Sequence, residues 1–426
     1  MRVVIIGSGL MGLTTAYFLN RAGADVCVVE RQDSAGRETS FANGGMLHAS
    51  QANPWNAPGI LWSAVRMFGR EDSPLLIRKA ALLRLLRWGT AFVRHSSPER
   101  YAQNIRRNAT LAHYSLSVMR ELRESEALSY DCSERGTLTI YRTQREVDAA
   151  AQYAERFAAA GLAFDTVDRQ RACEIEPALS AIAGEISGAT YYPADESGDA
   201  FKFCQQLQHI CERGGVEFQF NTGVSKLVRE GNAVASANTG TRRLRADAFV
   251  LTAGSYTPLL SRNVGLRVPV QPVKGYSITA PIGAWRGAPI TPVIDEHLHA
   301  AVCPLGDRLR VAGTAEFAGY SQTLTKSRID NLFHLLTSLY PDYEPHLDPA
   351  KTDRWTGLRP MAPDGVGIMG RTRIPNLFLN TGHGDGGRCR QSRRRGSAGQ
   401  RRGIRSRTLP AGVQPLSWRA WRAPRG

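Results

Sequence analysis

The sequence predicts an α/β protein that opens on a Rossmann-like nucleotide-binding unit. Three observations predict it: an unbroken β-branched run at residues 3–6, a glycine loop directly behind it, and an acid, Glu30, closing the next apolar run.

The elements follow in order. Val3, Val4, Ile5 and Ile6 are apolar without alternation, as a parallel strand covered on both faces requires. Gly7-Ser8-Gly9-Leu10-Met11-Gly12 comes next. Gly7 permits a tight turn, Gly9 lets the backbone approach a pyrophosphate, and Gly12 lets the following helix lie close to the strand. Residues 13–22 predict that helix, beginning Leu13, Thr14, Thr15, Ala16, Tyr17 and closed by Gly23. Its N-terminus supplies free N–H groups for phosphates. Residues 24–30 predict a second strand, with Glu30 placed for the adenosine ribose hydroxyls and Arg31 just beyond. An acid there disfavours a 2′-phosphate, and therefore NADP.

A lone GxGxxG is weak; strand before, helix after and acid at the right distance make it a dinucleotide site, against the alternative of a turn with no ligand. The motif alone does not choose between FAD and NAD. The motif's position at residue 7 leaves the whole catalytic machinery to the later chain, which favours FAD. So does the small, polar stretch of residues 37–46, although an ordinary turn-rich loop has the same composition.

Length and composition bound the rest. At 426 residues the chain predicts two to three domains, and 42% hydrophobic with 22% charged residues is ordinary for a globular protein. The seven cysteines (Cys27, Cys132, Cys173, Cys204, Cys211, Cys303 and Cys389) form no CxxC pair, which argues for a reducing, cytoplasmic setting and against a zinc site. The apolar start breaks at once into glycines, so it reads as a buried strand and not a signal peptide. No stretch of about 18 apolar residues predicts a spanning helix. The net charge of +16 would suggest nucleic acid, but residues 385–426 hold twelve arginines against one acid, a net +11. That leaves +5 for residues 1–384, so no nucleic-acid partner is expected for the body of the chain.

An ordered series of segments carries a resemblance. VVIIGSGLMGLTTAYFL, ETSFANGGML, NPWNAPG (53–59), DESGDAFKF (195–203), LTAGSY (251–256), PVKGYS (272–277), GDRLRVAGTAEF (306–317), GLRPMAPDG (357–365) and NTGHG (380–384) span residues 1–384. In this order they resemble the D-amino-acid dehydrogenases, small-subunit type, within the glycine oxidase and D-amino-acid oxidase group of flavoproteins. The resemblance implies an FAD-binding Rossmann-like domain of the glutathione-reductase type, discontinuous over 1–60, 160–260 and 345–384. A mixed-sheet α+β substrate domain would take 61–159 and 261–344. FAD contacts are implied along Val3 to Tyr17, at Glu30 and Arg31, and at Ser40, Asn43, Gly44, Gly45 and Met46. Val224, Ala253 and Gly254, and Gly382, His383 and Gly384, complete that set. Residues 224–227 and 248–251 are compatible with short strands, and 221–223 with a turn.

The implied reaction is oxidative deamination of a D-amino acid such as D-alanine. A hydride leaves Cα for FAD, and water converts the imino acid to a 2-oxo acid and ammonia. The cofactor carries that chemistry, and a substrate amine that reacts neutral needs no general base. The site then needs a carboxylate clamp, for which an arginine fork is suited. The resemblance assigns Arg359 of GLRP to it; from the residues alone a surface or ion-paired arginine reads better. Tyr276 is a second candidate, lining the pocket or binding the carboxylate, with a packed core tyrosine as the alternative. Met46 near the flavin and His48 are weaker candidates. His297 and His299 flank Leu298 in a strand-like stretch, which would place both on one face, but no third ligand is spaced for a metal.

Residues 75–94 read as one amphipathic basic helix, packing Leu82, Leu85, Leu86 and Phe92 on the domain. The sharper alternative is peripheral contact with the inner face of a membrane. It matters because dehydrogenases of the resembled group pass electrons to a quinone or other respiratory acceptor, whereas the glycine/sarcosine-type alternative uses oxygen. After Gly384 the chain turns Arg-rich, without lysine or hydrophobic periodicity. A basic arm, simple disorder and a shift of reading frame compete there. The last is favoured, because Asp385-Gly386-Gly387 leaves the resembled pattern at once and puts the closing flavin contacts in doubt.

Overall fold

The computed structural model describes residues 1–60, 73, 75–78, 81–158 and 163–384; the arginine-rich segment 385–426 lies outside the described residues. Two sheets carry the architecture. The first has six strands in the order Ile368–Arg371, Leu377–Thr381, Ala248–Leu251, Arg2–Ile6, Asp25–Val29 and Glu217–Gln219. All its pairings are parallel except the first.

The unbroken apolar run at residues 3–6 has the cause expected of it. Val3 and Ile5 enter a core with helices Leu10–Arg21 and Ala200–Arg213, while Val4 and Ile6 enter a second core with Leu227, Val234 and Leu260. Side chains alternate between faces, and both faces are covered. Val26 and Val28 divide from Cys27 and Val29 in the same way.

The first helix starts earlier than expected. It spans Leu10–Arg21, because Gly9 in an extended conformation (φ −71, ψ −175) caps it, so the glycine loop runs straight into the first turn. Gly23 follows at φ +83, a left-handed position that suits glycine. The second strand is Asp25–Val29, one residue shorter at each end than expected. The strand expected at 224–227 runs on as Val224–Glu230 in a three-stranded antiparallel sheet.

The second sheet has nine strands. Eight run in the order Asp353–Met361, Gln271–Pro281, Arg308–Phe317, Ala300–Leu305, Val293–Asp295, Thr137–Tyr141, Gly188–Tyr192 and Asp165–Val167; Leu75–Ile77 pairs with Arg308–Phe317. The expected boundaries group residues 165–192 and 353–361 with the nucleotide-binding domain; their strands pair into this sheet, Gly188–Tyr192 on Thr137–Tyr141, Asp165–Val167 on Gly188–Tyr192, and Asp353–Met361 on Gln271–Pro281.

The single helix expected over 75–94 is corrected. Leu75–Ile77 is a strand, and the helix is Leu82–Arg94. Leu85 and Trp88 pack inward, but Leu82, Leu83 and Leu86 are exposed, so the expected packing of Leu82 and Leu86 does not occur. Among the described residues, no helix is long and apolar enough to cross a membrane.

Candidate functional site

One cavity of about 1190 Å³ is lined from both sheets. Its wall includes the glycine loop and Glu30, and also Arg359, Tyr276 and the hairpin that carries Glu296 and His299.

The dinucleotide end is built by close backbone approach. A methyl group at Gly12 would lie 1.9 Å from the Gly7 carbonyl oxygen, and one at Gly7 (φ +105) would lie 2.9 Å from the Thr252 carbonyl oxygen. Thr252 Oγ1 in turn donates to the carbonyls of Ile6 (2.9 Å) and Gly7 (2.8 Å). Gly9 has no side chain to cap the helix, and only the Leu10 N–H is engaged by Ser40 Oγ, at 3.1 Å. Free N–H groups and the positive end of a 12-residue helix therefore face the cavity. Buried Glu30 accepts from Ser8 N (2.8 Å), Ser8 Oγ (2.9 Å) and Gln32 N (3.0 Å), which fixes its carboxylate at the cavity edge. Arg31 is held by Glu38 and lies 3.9 Å from the Tyr256 ring centroid.

Of the expected cofactor residues, Ile6, Gly7, Gly9, Leu10, Met11, Glu30, Arg31, Ser40, Asn43, Gly44, Met46, Val224, Ala253, Gly254, His383 and Gly384 line this cavity. Others stand behind its wall. Val3, Val4, Ile5, Leu13 and Ala16 are core residues of the sheet and helix. Ser8 turns to Glu30, and Gly12 abuts Gly7. Thr14 and Thr15 bond back to the carbonyls of Leu10 and Met11, and the Tyr17 hydroxyl donates to Glu126. Gly45 backs onto Cys303, and Gly382 onto Ile368. These shape the site without facing it.

Another part of the wall rests on the second sheet. Gly275 and Gly357 are paired across neighbouring strands. A side chain on either would displace a neighbour: a methyl at Gly275 would meet Arg359 Nη1 at 1.8 Å, and one at Gly357 would meet the Trp355 ring at 2.1 Å. The bare strand pair is thus a floor across which Arg359 and Trp355 lie. Arg359 Nη1 also donates to the Thr314 carbonyl at 3.4 Å. Thr314 is the extra residue of a bulge: Gly275 pairs with Ala315 and Tyr276 with Gly313. It sits at φ +58, costly for a β-branched residue, and its Oγ1 is buried without a hydrogen-bond partner among the described residues.

Tyr276 divides the two roles expected for it. The residue lines the cavity, but its hydroxyl donates to Glu316 Oε2 at 2.6 Å and lies 3.1 Å from Thr325 Oγ1. Glu316 is also paired with Arg78 (2.7 Å) and buried Lys274 (3.5 Å). Burial pushes the Glu316 carboxyl up, but Tyr276, Arg78 and Lys274 outweigh it and hold it below the ordinary value. Burial lowers the Lys274 ammonium, with Glu316 opposing. Burial raises the Tyr276 phenol, and its bond to Glu316 adds to the rise.

His48 lines the cavity. The two histidines beside Leu298 do not share a face: residues 296–299 form a hairpin turn with His299 at φ +49, and only His299 lines the cavity. Among the described residues, no group of His, Cys, Asp or Glu could hold a metal ion. The sequence reading missed Thr314, Trp355 and Glu296. Trp355 lies just outside the GLRP motif, and the acid at 296 is visible, but nothing local marks the Thr314 bulge.

The glycine cradle, the uncapped helix and the fixed acid fit a dinucleotide, and the cavity continues from them to Arg359. The profile of the FAD dependent oxidoreductase family matches residues 2–388. A D-amino acid dehydrogenase of Cereibacter sphaeroides is 43% identical over 384 residues, covering 90% of this chain and 87% of the relative. In fold, the chain is similar to glycine oxidase from Geobacillus kaustophilus (TM-score 0.69, 22% identity, 91% and 90% of the two chains). It is also similar to L-proline dehydrogenase from P. horikoshii (TM-score 0.70, 18% identity, 91% and 88%).

Proposed function

Because the chain belongs to the FAD dependent oxidoreductase family, we propose that it oxidises D-amino acids such as D-alanine to 2-oxo acids and ammonia, as a D-amino acid dehydrogenase. The observation that carries the reading is the continuity of one cavity from the glycine loop to Arg359. FAD bound along it supplies the acceptor for the substrate's Cα hydrogen.

The chain's own residues bind and orient. The Gly7–Gly9 turn and the helix N-terminus take the pyrophosphate, and Glu30 takes the adenosine ribose. Arg359 holds the substrate carboxylate with its planar fork, steadied by the Thr314 carbonyl. Tyr276 contributes its ring to the wall, because its hydroxyl is committed to Glu316. No general base is assigned, since a neutral amine needs none.

Electrons then pass to a quinone or other respiratory acceptor at a membrane surface. The exposed Leu82, Leu83 and Leu86 on a helix that also exposes Arg87 and Arg94 support that surface. The test is the flavin spectrum of the FAD-bound protein under anaerobic conditions. Bleaching by D-alanine and not by L-alanine is expected; bleaching by neither overturns the reading. Oxygen consumption matching substrate loss would replace the dehydrogenase with an oxidase.

A further inference from the structure

Glu296 lines the cavity from the turn between strands Val293–Asp295 and Ala300–Leu305. Its neighbour Asp295 is fully buried and neutralised by Arg142 at 2.6 Å. Glu296 itself makes no ion pair or hydrogen bond among the described residues; the cavity-lining His299 is the nearby group that opposes the effect of burial on it. Tyr141, Tyr153 and Tyr192 all feel its charge, and burial by the surrounding protein raises its carboxyl above the ordinary value.

The placement of this carboxylate relative to Arg359 decides what it can reach. Arg359 touches the Thr314 carbonyl on strand Arg308–Phe317. The Glu296 turn joins the next two strands of the sheet, so at about 4.8 Å per strand its backbone stands on the order of 10 Å from Thr314, the residue whose carbonyl Arg359 touches. An α-amine lies one carbon from the carboxylate that Arg359 holds and cannot bridge that distance. A side chain of four or five atoms ending in a cation can, with a charge-assisted hydrogen bond of about 2.8 Å at each end.

We propose that Glu296 is a specificity-determining residue that pairs with the terminal cation of a basic D-amino acid, of the lysine or arginine class, while Arg359 holds its carboxylate. This rests on the D-amino-acid reading above and names the substrate class of the same site. Of the cavity-lining carboxylates, Glu30 accepts from Ser8 and Gln32 and Glu38 from Arg31, so among the described residues Glu296 is the one without a partner.

The test uses 6-aminohexanoate and hexanoate, which share a carboxylate and chain, lack an α-amine and cannot be deaminated there. Their binding to the full chain is measured by calorimetry, which needs no turnover. Preference for 6-aminohexanoate by about tenfold or more is expected, and Glu296→Gln should abolish it. Equal binding, tighter hexanoate binding, binding of neither, or an undiminished preference in Glu296→Gln overturns the inference. Should the Gln variant not fold, Glu296→Asp retains the charge on a shorter arm and should shift the preference toward 7-aminoheptanoate; no shift counts against Glu296. Flavin bleaching separates the two claims: bleaching by D-alanine without the ammonium preference sinks only this inference, and bleaching by neither D-alanine nor D-lysine sinks the D-amino-acid reading.

Discussion

The guanidinium of Arg359 occupies the space that a side chain on Gly275 would need, with Nη1 1.8 Å from where a methyl carbon would stand. The glycine of PVKGYS and the arginine of GLRP, far apart in sequence, are therefore one device. Gly275→Ala should displace the guanidinium and raise KM for D-amino acids by about 10- to 100-fold, the scale of a lost charge-assisted hydrogen bond. Steady-state dye reduction checks this, and an unchanged KM would remove Arg359 from the site. Arg359→Lys should raise KM similarly while leaving FAD content intact.

Gly12 has no such flexible neighbour. A methyl there would lie 1.9 Å from the Gly7 carbonyl oxygen, so backbone must move. Gly12→Ala is expected to abolish FAD retention and to lower the melting temperature by several degrees, consistent with a core clash of about 1–3 kcal/mol. Flavin absorbance per protein and a thermal melt read both effects.

Glu30 serves the fold as well as the cofactor. Its loss would strip acceptors from the N–H groups of Ser8 and Gln32. Glu30→Ala should therefore cost about 1–3 kcal/mol of stability even without FAD, in addition to weakening FAD binding. A denaturant melt of the FAD-free protein that matches wild type would show that Glu30 acts on the cofactor alone.

The Tyr276–Glu316 bond predicts a pH dependence. Glu316 is held below its ordinary value in the folded protein, so its stabilisation is complete above that ordinary value and lost as pH falls through the depressed one. Tyr276→Phe removes one group that depresses it. The variant should lose about 1.5–3 kcal/mol near neutral pH, and its remaining acid loss should begin at higher pH than in wild type. Melting temperature followed between roughly pH 3 and 7 tests the sign. Buried Lys274 works oppositely: its folded value is lowered, so it withholds stability at neutral pH and returns it as pH rises through that lowered value.

The membrane reading places its weight on Leu83, 84% exposed, and Leu86, 63% exposed. Full-length protein should float with anionic liposomes, and Leu83→Ser with Leu86→Ser should reduce flotation severalfold, given the apolar area removed. Equal flotation of the double variant would move the contact elsewhere.

By itself the sequence determined the dinucleotide end. There the chemistry is local: strand, glycine turn, helix and acid follow one another within about one βαβ unit, and Gly12 answers to Gly7, close in the chain, although Gly7 itself abuts Thr252. For Arg359 the residues alone favoured a surface or ion-paired arginine, and only the resemblance carried by GLRP pointed to a carboxylate clamp. Tertiary structure decided the rest. That residues 165–192 and 353–361 join the second sheet depends on which edges lie open. That Leu82 and Leu86 face outward depends on what packs beneath their helix. The commitment of the Tyr276 hydroxyl to Glu316, the bulge at Thr314 and the position of Glu296 relative to Arg359 all depend on strand register. A shift of one residue moves every side chain to the other face, and only the folded pairing fixes that register.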